Sequence, residues 1–167
     1  MGISRWVAVA CAVAAAAWLS GCEPQRAEAL VEDVSTESDV KRLFGEPKTV
    51  TIAADGTRTL AYPRQPEGYA NYVMVIGPGG KLTSLRQLLN PDNFAKVQPG
   101  MDSDAVHRIL GPHARERKFD LKKETVIDWR FRDGQEPRLF SVTLDSAGLV
   151  TTTAVTADLR DIEGGSR

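Results

Sequence analysis

The sequence predicts an α+β fold of two tandem units, each with one or two short helices followed by an antiparallel sheet of three to four strands. Two repeated patterns lead to this prediction. The helix-like segment 40–45 recurs at 106–111, and the strand-like segment 72–76 recurs at 140–144. In both halves the helical pattern comes first and alternating strand patterns follow it. Self-similarity of this kind indicates two copies of one structural unit.

The first unit, residues 34–90, opens with a helix whose start, face and end are all indicated. Its apolar side chains fall on one face at i, i+3 and i+4 spacing: Val40, Leu43 and Phe44. Thr36 or Ser35 can cap the N-terminus of this helix. Gly45 suits the position just after its end, and Pro47 prevents its continuation. Strands are then expected at 50–52, 57–62, 72–76 and 82–88.

The second unit, residues 91–160, repeats this order. Its helix has the apolar face Val106, Ile109 and Leu110. Asp102 or Ser103 can cap the helix, and Gly111 followed by Pro112 ends it. Strands are expected at 125–131, 140–144 and 149–155. A further short helix is predicted before each of the two main helices, at 27–31 and at 94–97.

Aromatic and arginine side chains are the candidates for contact with a protein partner, because both are common at binding hot spots. Tyr69 and Tyr72 lie three positions apart and are expected on opposite faces of a strand, with Tyr69 on the surface. The run 115–123 mixes charges of both signs and predicts a solvent-exposed strand and turn. Within it, Arg115 and Arg117 are candidate contacts to a partner or to lipid headgroups.

The sequence contains no recognisable catalytic or metal-binding pattern. We interpret His107 and His113 as surface histidines, with a pH-sensitive contact or a metal ligand as the alternatives. The glycine-rich segment 77–80 joins two predicted strands and lacks the Lys-Ser/Thr of a phosphate-binding loop, which favours a hairpin turn. Cys11 and Cys22 both belong to the N-terminal signal described below, so no disulfide or thiolate metal site is expected. We predict no enzymatic activity, no cofactor and no bound metal.

The charge balance also narrows the classes of partner. The chain has 21 lysines and arginines against 22 aspartates and glutamates, for a formal net charge of −1. Near-neutral charge with the two signs interspersed argues against nucleic acid and against a polybasic membrane patch. No pattern points to a small-molecule substrate.

The N-terminus has the order of a lipoprotein signal. Arg5 precedes an apolar run at 6–19, and a Leu-Ser-Gly-Cys motif ends at Cys22. The run, about fourteen residues, is shorter than the roughly twenty that a spanning helix needs. This order resembles the bacterial lipobox, which implies cleavage between Gly21 and Cys22, removal of residues 1–21, and S-diacylglycerol and N-acyl groups on Cys22. An ordinary cleaved signal and an uncleaved anchor are the alternatives.

The two ends of the mature chain are expected to lie outside the folded units. Residues 22–33 are assigned to a lipidated tether. Residues 161–167, which include Gly-Gly-Ser, are assigned to a flexible tail.

A series of short motifs in the second unit resembles a known family. These are VQPGMD at 97–102, LGP at 110–112, DWRF at 128–131 and VTLDSAGLV at 142–150. In this order they resemble the SmpA/OmlA domain of BamE-like lipoproteins, although Asp102 stands where that family usually has threonine. The first unit carries a fainter copy of the pattern. A tandem pair of such units also resembles the architecture of β-lactamase inhibitor proteins.

The resemblance implies a non-enzymatic lipoprotein at the periplasmic face of the bacterial outer membrane that assists the assembly of β-barrel proteins. It implies two kinds of partner: the membrane, through the lipid on Cys22, and other envelope proteins such as barrel-assembly subunits. Glu23 follows the cysteine, whereas an aspartate there favours inner-membrane retention in lipoproteins. The alternative function is a periplasm-facing lipoprotein that binds or inhibits another envelope protein.

Overall fold

The computed structural model describes residues 23–160, which form two four-stranded antiparallel sheets and four short helices. The elements in chain order are α1 (Glu23–Glu28), α2 (Glu37–Phe44), β1 (Thr49–Ile52), β2 (Arg58–Pro63), β3 (Asn71–Ile76), β4 (Leu82–Gln87), α3 (Pro91–Phe94), α4 (Ser103–Leu110), β5 (Arg115–Phe119), β6 (Glu124–Asp133), β7 (Glu136–Leu144) and β8 (Val150–Ala157). The predicted α+β class is confirmed. The signal at 1–21, the lipidation site Cys22 and the tail at 161–167 lie outside the described residues.

Both sheets are meanders in which each strand pairs with the next one along the chain, in the orders β1-β2-β3-β4 and β5-β6-β7-β8. Two short helices precede each sheet. The predicted hairpin turn at 77–80 is confirmed: it joins β3 to β4, and the Gly77 N–H donates to the carbonyl oxygen of Lys81 at 2.8 Å. Within residues 23–160, no helix has the length and apolarity that a membrane span requires.

Helices α2 and α4 begin and end where the sequence indicates. The Thr36 hydroxyl accepts a hydrogen bond from the Asp39 N–H, and the Asp39 carboxylate accepts one from the Thr36 N–H at 3.0 Å, which completes a capping box. The hydrogen bonds that Asp39 accepts from Thr36 and from Arg42 lower the pKa of the aspartate to about 2. Asp102 caps α4, with its Oδ1 2.6 Å from the Ala105 nitrogen. Gly45, just after α2, has a φ of 81°, a conformation that strains other residues.

Each sheet has its own apolar core between one of its faces and the preceding helices. The first core contains Leu30, Val40, Phe44, Leu60, Tyr62, Ala70, Tyr72, Met74, Ile76 and Leu82. The second contains Leu89, Phe94, Val97, Val106, Leu110, Ile127, Trp129, Phe131, Phe140, Val142, Leu144 and Val150. The predicted apolar faces of α2 and α4 thus lie against the sheets, because burying these side chains is the main driving force for the fold.

The segment assigned to the tether differs from the expectation. Residues Glu23–Glu28 form helix α1, and Leu30 is buried in the first core. The chain after α1 also closes the outer edge of β4. There the Asp33 N–H donates to the carbonyl oxygen of Leu82 at 2.7 Å, and Glu32 accepts from the Leu85 N–H at 2.7 Å. An edge strand needs partners for its backbone groups, and this segment supplies them.

Candidate functional site

The outer face of the second sheet carries a buried carboxylate at its centre. Ile127 and Trp129 point into the second core, so Asp128, between them on β6, points to the opposite face. The register places Arg115 of β5 on one side of Asp128 and Ser141 of β7 on the other. Asp128 is completely shielded from solvent although its strand faces outward at this position.

Asp128 is satisfied by an arginine pair and a hydroxyl. Its Oδ2 accepts from Arg115 Nε at 2.9 Å and lies 3.2 Å from the terminal nitrogen of Arg117. A terminal nitrogen of Arg115 also lies 2.8 Å from Asp128 Oδ2. The other carboxylate oxygen, Asp128 Oδ1, accepts a hydrogen bond from the Ser141 hydroxyl at 2.6 Å. One carboxylate therefore holds two arginine side chains that are both partly exposed. Charge-assisted bonds of this kind fix long side chains in place, which lowers the entropy cost of binding an acidic group.

A second group of contacts lies further along the same face of β6. Arg130 binds Asp158 with a nitrogen–oxygen distance of 2.6 Å, and both side chains are largely buried. The Arg132 guanidinium lies over the Tyr69 ring, 4.5 Å from its centroid, and Arg160 lies 5.7 Å from the same centroid. Tyr69 belongs to the first half of the chain, so this cation–π cluster links the two halves.

Two amide side chains make hydrogen bonds from the first half to backbone groups of the second, and Arg160 of the second half donates to Pro66 and Glu67. Asn71 Nδ2 donates to the carbonyl oxygens of Leu110 and Pro112, both at 2.8 Å, and so satisfies the end of α4. Gln65 pairs with the backbone of Arg130: its Nε2 donates to the carbonyl oxygen at 2.9 Å, and its Oε1 accepts from the N–H at 3.1 Å. Gln65 thus occupies the edge of β6 beyond the end of β5. The halves are thus held together by directional bonds and not by apolar contact alone.

The two histidines form a pair against the second core. His107 Nε2 lies 2.8 Å from His113 Nδ1, and both rings pack near Trp129 at centroid distances of 5.4 and 6.1 Å. His107 Nδ1 lies 2.7 Å from the carbonyl oxygen of Ser103, so this nitrogen carries the proton and His107 Nε2 accepts from His113. Burial and the neighbouring His107 lower the pKa of His113, and Glu116 opposes that shift.

This arrangement argues against a serine nucleophile at the histidine pair. The Ser103 hydroxyl lies 3.3 Å from His107 Nδ1, but that nitrogen already donates to the Ser103 carbonyl oxygen and has no lone pair to accept a proton. Among residues 23–160, no cluster of three or more His, Cys, Asp or Glu side chains has a geometry that would hold a metal ion.

The structure brings the predicted contact residues to one surface but gives each of them an internal partner. Arg115 and Arg117 lie together on β5 and share Asp128. Tyr69 is half-buried at the junction of the halves, in contact with Arg132. The surface therefore runs from the arginine pair along the outer face of β6 to Tyr69. Cys22, the predicted lipidation site, lies outside the described residues.

Sequence reasoning missed the residues that organise this surface. Asp128 occupies an outward position of a strand, where a charged residue is ordinary, so nothing in the local pattern marks it as buried. Asn71 and Gln65 are also unremarkable locally, since their partners lie roughly forty or more positions away along the chain. The repeat offered the one usable signal, because a chain with two similar units needs specific groups to join them.

Comparisons with known proteins give weak similarities. No family model matches the chain, and no curated protein matches it significantly. An osmotically inducible lipoprotein, OsmE, is 21% identical over 42% of this chain and 82% of its own, with a TM-score of 0.37. A DUF4309 family protein from Bacillus subtilis is 16% identical over 84% of this chain and 95% of its own, with a TM-score of 0.32. A Streptococcus mutans protein assigned as a β-lactamase inhibitor is 11% identical over 80% of this chain and 93% of its own, with a TM-score of 0.35. Similarity this low assigns neither a family nor a function to the chain.

Proposed function

We propose that this chain is a lipid-anchored, non-enzymatic envelope protein that acts as a scaffold in the assembly of outer-membrane β-barrels. The observation that carries the proposal is the junction at Asn71 and Gln65, which holds two sheets in one arrangement through backbone-directed bonds. A scaffold must present its partners with a fixed geometry, and such bonds supply it. The SmpA/OmlA motifs of the second unit support the same role.

The anchor in this proposal is the lipid on Cys22. Each buried CH₂ contributes about 0.8 kcal/mol to membrane binding, so one acyl chain binds marginally and several give stable attachment. Helix α1 begins at Glu23, the residue after the cysteine, and Leu30 is already in the first core. The folded part would therefore lie close to the membrane surface rather than at the end of a long tether. We place it on the periplasmic face of the outer membrane.

The proposal is tested by purifying the tagged, lipidated protein from detergent-solubilised membranes and identifying what is bound. Recovery of barrel-assembly subunits supports it, and recovery of a single soluble enzyme instead contradicts it. A Cys22→Ser variant should be released from the membrane fraction. Mass spectrometry that finds an unmodified Cys22 in the wild type would remove the anchor from the proposal.

The same purification can test whether the surface around Arg115 and Arg117 binds the partner. Arg115→Glu with Arg117→Glu reverses the charge of the arginine pair, and Lys122→Glu with Lys123→Glu makes the same charge change on the neighbouring turn. We expect the arginine variant to lose its partner and the lysine variant to keep it. Equal loss in both would mean that net charge, and not this surface, recruits the partner.

A second candidate function is the binding or inhibition of another envelope protein. The observation that favours it is the arginine pair itself, because Arg115 and Arg117 are held by a buried carboxylate before any partner arrives. Preorganised arginines are typical of surfaces that bind acidic groups tightly. Recovery of one periplasmic protein, lost in the arginine variant, would favour this function over the scaffold.

A further inference from the structure

The edges of the two sheets differ in how well they are protected from pairing with another strand. The β4 edge is covered by the chain after α1, which bonds to Leu82 and Leu85. The β5 edge has four consecutive charged residues, 115–118, and charges oppose strand addition. The β1 edge is uncharged but only four residues long. Because a short edge strand offers few backbone hydrogen bonds to another strand, its shortness protects the β1 edge.

Strand β8 has none of these protections over most of its length. It runs for eight residues, VTTTAVTA, with no charged residue and no proline. Val150 is already engaged, since its N–H and carbonyl oxygen bond to Met101 and Gly100. In the described part of the chain, no backbone bond outside the β7–β8 pairing covers residues 151–157. All seven of these residues are exposed.

We infer that the β8 edge pairs with the β8 edge of a second copy of this chain, joining their second sheets into one continuous antiparallel sheet. Two identical adjacent strands related by a twofold axis perpendicular to the sheet are antiparallel, and opposed residues lie on the same face. The centre of 151–157 is Ala154, which would face Ala154 of the second copy. A strand without charge sets no like charges opposite each other in this pairing.

The side chains of the free β8 edge are complementary to those of an identical strand in this register. With Ala154 on the axis, Thr152 lies opposite Thr156 of the second copy, and Thr153 lies opposite Val155. Val155 is 53% exposed in the single chain, and this pairing covers part of it. Leu149 lies outside the paired segment, because residues 100–102 already cover the edge at positions 149 and 150. Each of these edge residues thus meets an uncharged partner from an identical strand, which is why we commit to a second copy rather than to an unrelated strand.

The interface is small, so confinement to a membrane contributes to it. Stable protein interfaces bury roughly 1,200 Å² or more, and a single pair of strands is marginal by itself in water. Two lipid-anchored copies in one leaflet have a raised effective concentration. This part of the inference rests on the proposed lipid anchor, whereas the register of the strands does not.

Single cysteines in the full-length chain test the register in cells. In the Ala154→Cys variant the two thiols face each other across the axis, within the Cα separation of about 4.4 to 6.8 Å that a disulfide spans. We expect a disulfide-linked dimer on a non-reducing gel. Thr153→Cys and Val155→Cys should each cross-link weakly alone, but a cell that makes both should give a dimer. Thr51→Cys, on the uncharged β1 edge, is the matched control.

Each outcome decides the inference. Ala154→Cys dimers well above the Thr51→Cys level, with the mixed 153–155 dimer, support it. No dimer from Ala154→Cys, an equal level from Thr51→Cys, or adducts to other proteins only would overturn it. Proteolysis of the membrane-bound variant checks that Ala154→Cys is folded. The wild-type chain is the control for Cys22, its remaining cysteine after the signal. A disulfide-linked dimer of the wild type would show that the Cys22 thiol is free and would contradict the lipid anchor. In that case the same cysteine variants in a Cys22→Ser background test the strand pairing separately.

Discussion

The side-chain amide of Asn71 completes the end of helix α4 by donating to the carbonyl oxygen of Leu110 at 2.8 Å. Asn71 is the first residue of β3, in the first half of the chain, whereas Leu110 ends the main helix of the second half. The same amide nitrogen reaches the carbonyl oxygen of Pro112. A helix terminus has several carbonyl groups without intrahelical partners, and here the other half of the chain supplies the donor. The two halves therefore share one structural element.

Replacing Asn71 should destabilise the chain through this shared element. Asn71→Ala leaves two carbonyl oxygens without their donor at a buried site, so we expect the free energy of unfolding to fall by about 1 to 3 kcal/mol. Urea denaturation measures it. Asn93→Ala is the control, because Asn93 also donates its side-chain amide to a carbonyl oxygen, that of Leu88, but within a short local segment. An equal loss in both variants would contradict a special role for the junction.

Replacing the two arginine partners of Asp128 should lower stability by amounts that follow the number and length of their contacts to it. Arg115→Ala removes two contacts to the buried carboxylate, at 2.9 and 2.8 Å, whereas Arg117→Ala removes one at 3.2 Å. Both arginines are more than 40% exposed, and solvent weakens their interaction with the carboxylate. We therefore expect the free energy of unfolding to fall by about 1 to 2 kcal/mol for Arg115→Ala and by less for Arg117→Ala.

Lys118→Ala provides the control on the same strand. Lys118 contacts Glu116 at 3.5 Å on the surface, so its loss should change stability by no more than about 0.5 kcal/mol. Thermal unfolding followed by circular dichroism ranks the three variants. A Lys118 effect as large as that of Arg115 would mean that strand β5, and not the carboxylate, determines the loss.

Acidification should weaken the fold through the histidine pair. Burial and His107 lower the pKa of His113 below its unfolded value of 6.5, so the unfolded chain binds the proton more readily. The stability linked to His113 is complete above pH 6.5 and declines as the pH falls below it. We expect His113→Gln to lose less stability than the wild type between pH 7 and pH 5, measured by urea denaturation. Asp39, with a pKa of about 2, contributes its own loss at lower pH.

The elements of the fold were predictable because their signals are local. The spacing of Val40 and Phe44, the cap at Thr36 and the glycine after each main helix lie within a few positions of one another, and the structure has α2 and α4 where they indicate. Residues Glu23–Glu28 were assigned to a tether from the lipid, whereas they form helix α1. Its place depends on Leu30, which joins a core assembled from distant strands.

The surface from Arg115 and Arg117 to Tyr69 was only partly predictable, because it depends on pairing between strands that are distant in sequence. Arg115 and Arg117 were identified from their composition, but the buried carboxylate beneath them becomes visible only when β5 is set against β6 in register. Tyr69 was expected to be free for a partner. Its position under Arg132 follows from how the two halves meet, which no local pattern encodes.

A pair of glycine substitutions isolates the close approach between the halves. Gly111 and Gly45 follow equivalent helices and have similar positive φ values, 74° and 81°. A Cβ at position 111 would lie 3.0 Å from Asn71 Nδ2, whereas a Cβ at position 45 would have nothing within 4 Å. Both Ala variants should lose about 1 to 3 kcal/mol from backbone strain, and Gly111→Ala should lose more because it also displaces the amide. In an Asn71→Ala background that excess should disappear, since the atom it meets is gone. Urea denaturation of the single and double variants measures the coupling, and strictly additive losses would show that Gly111 and Asn71 act independently.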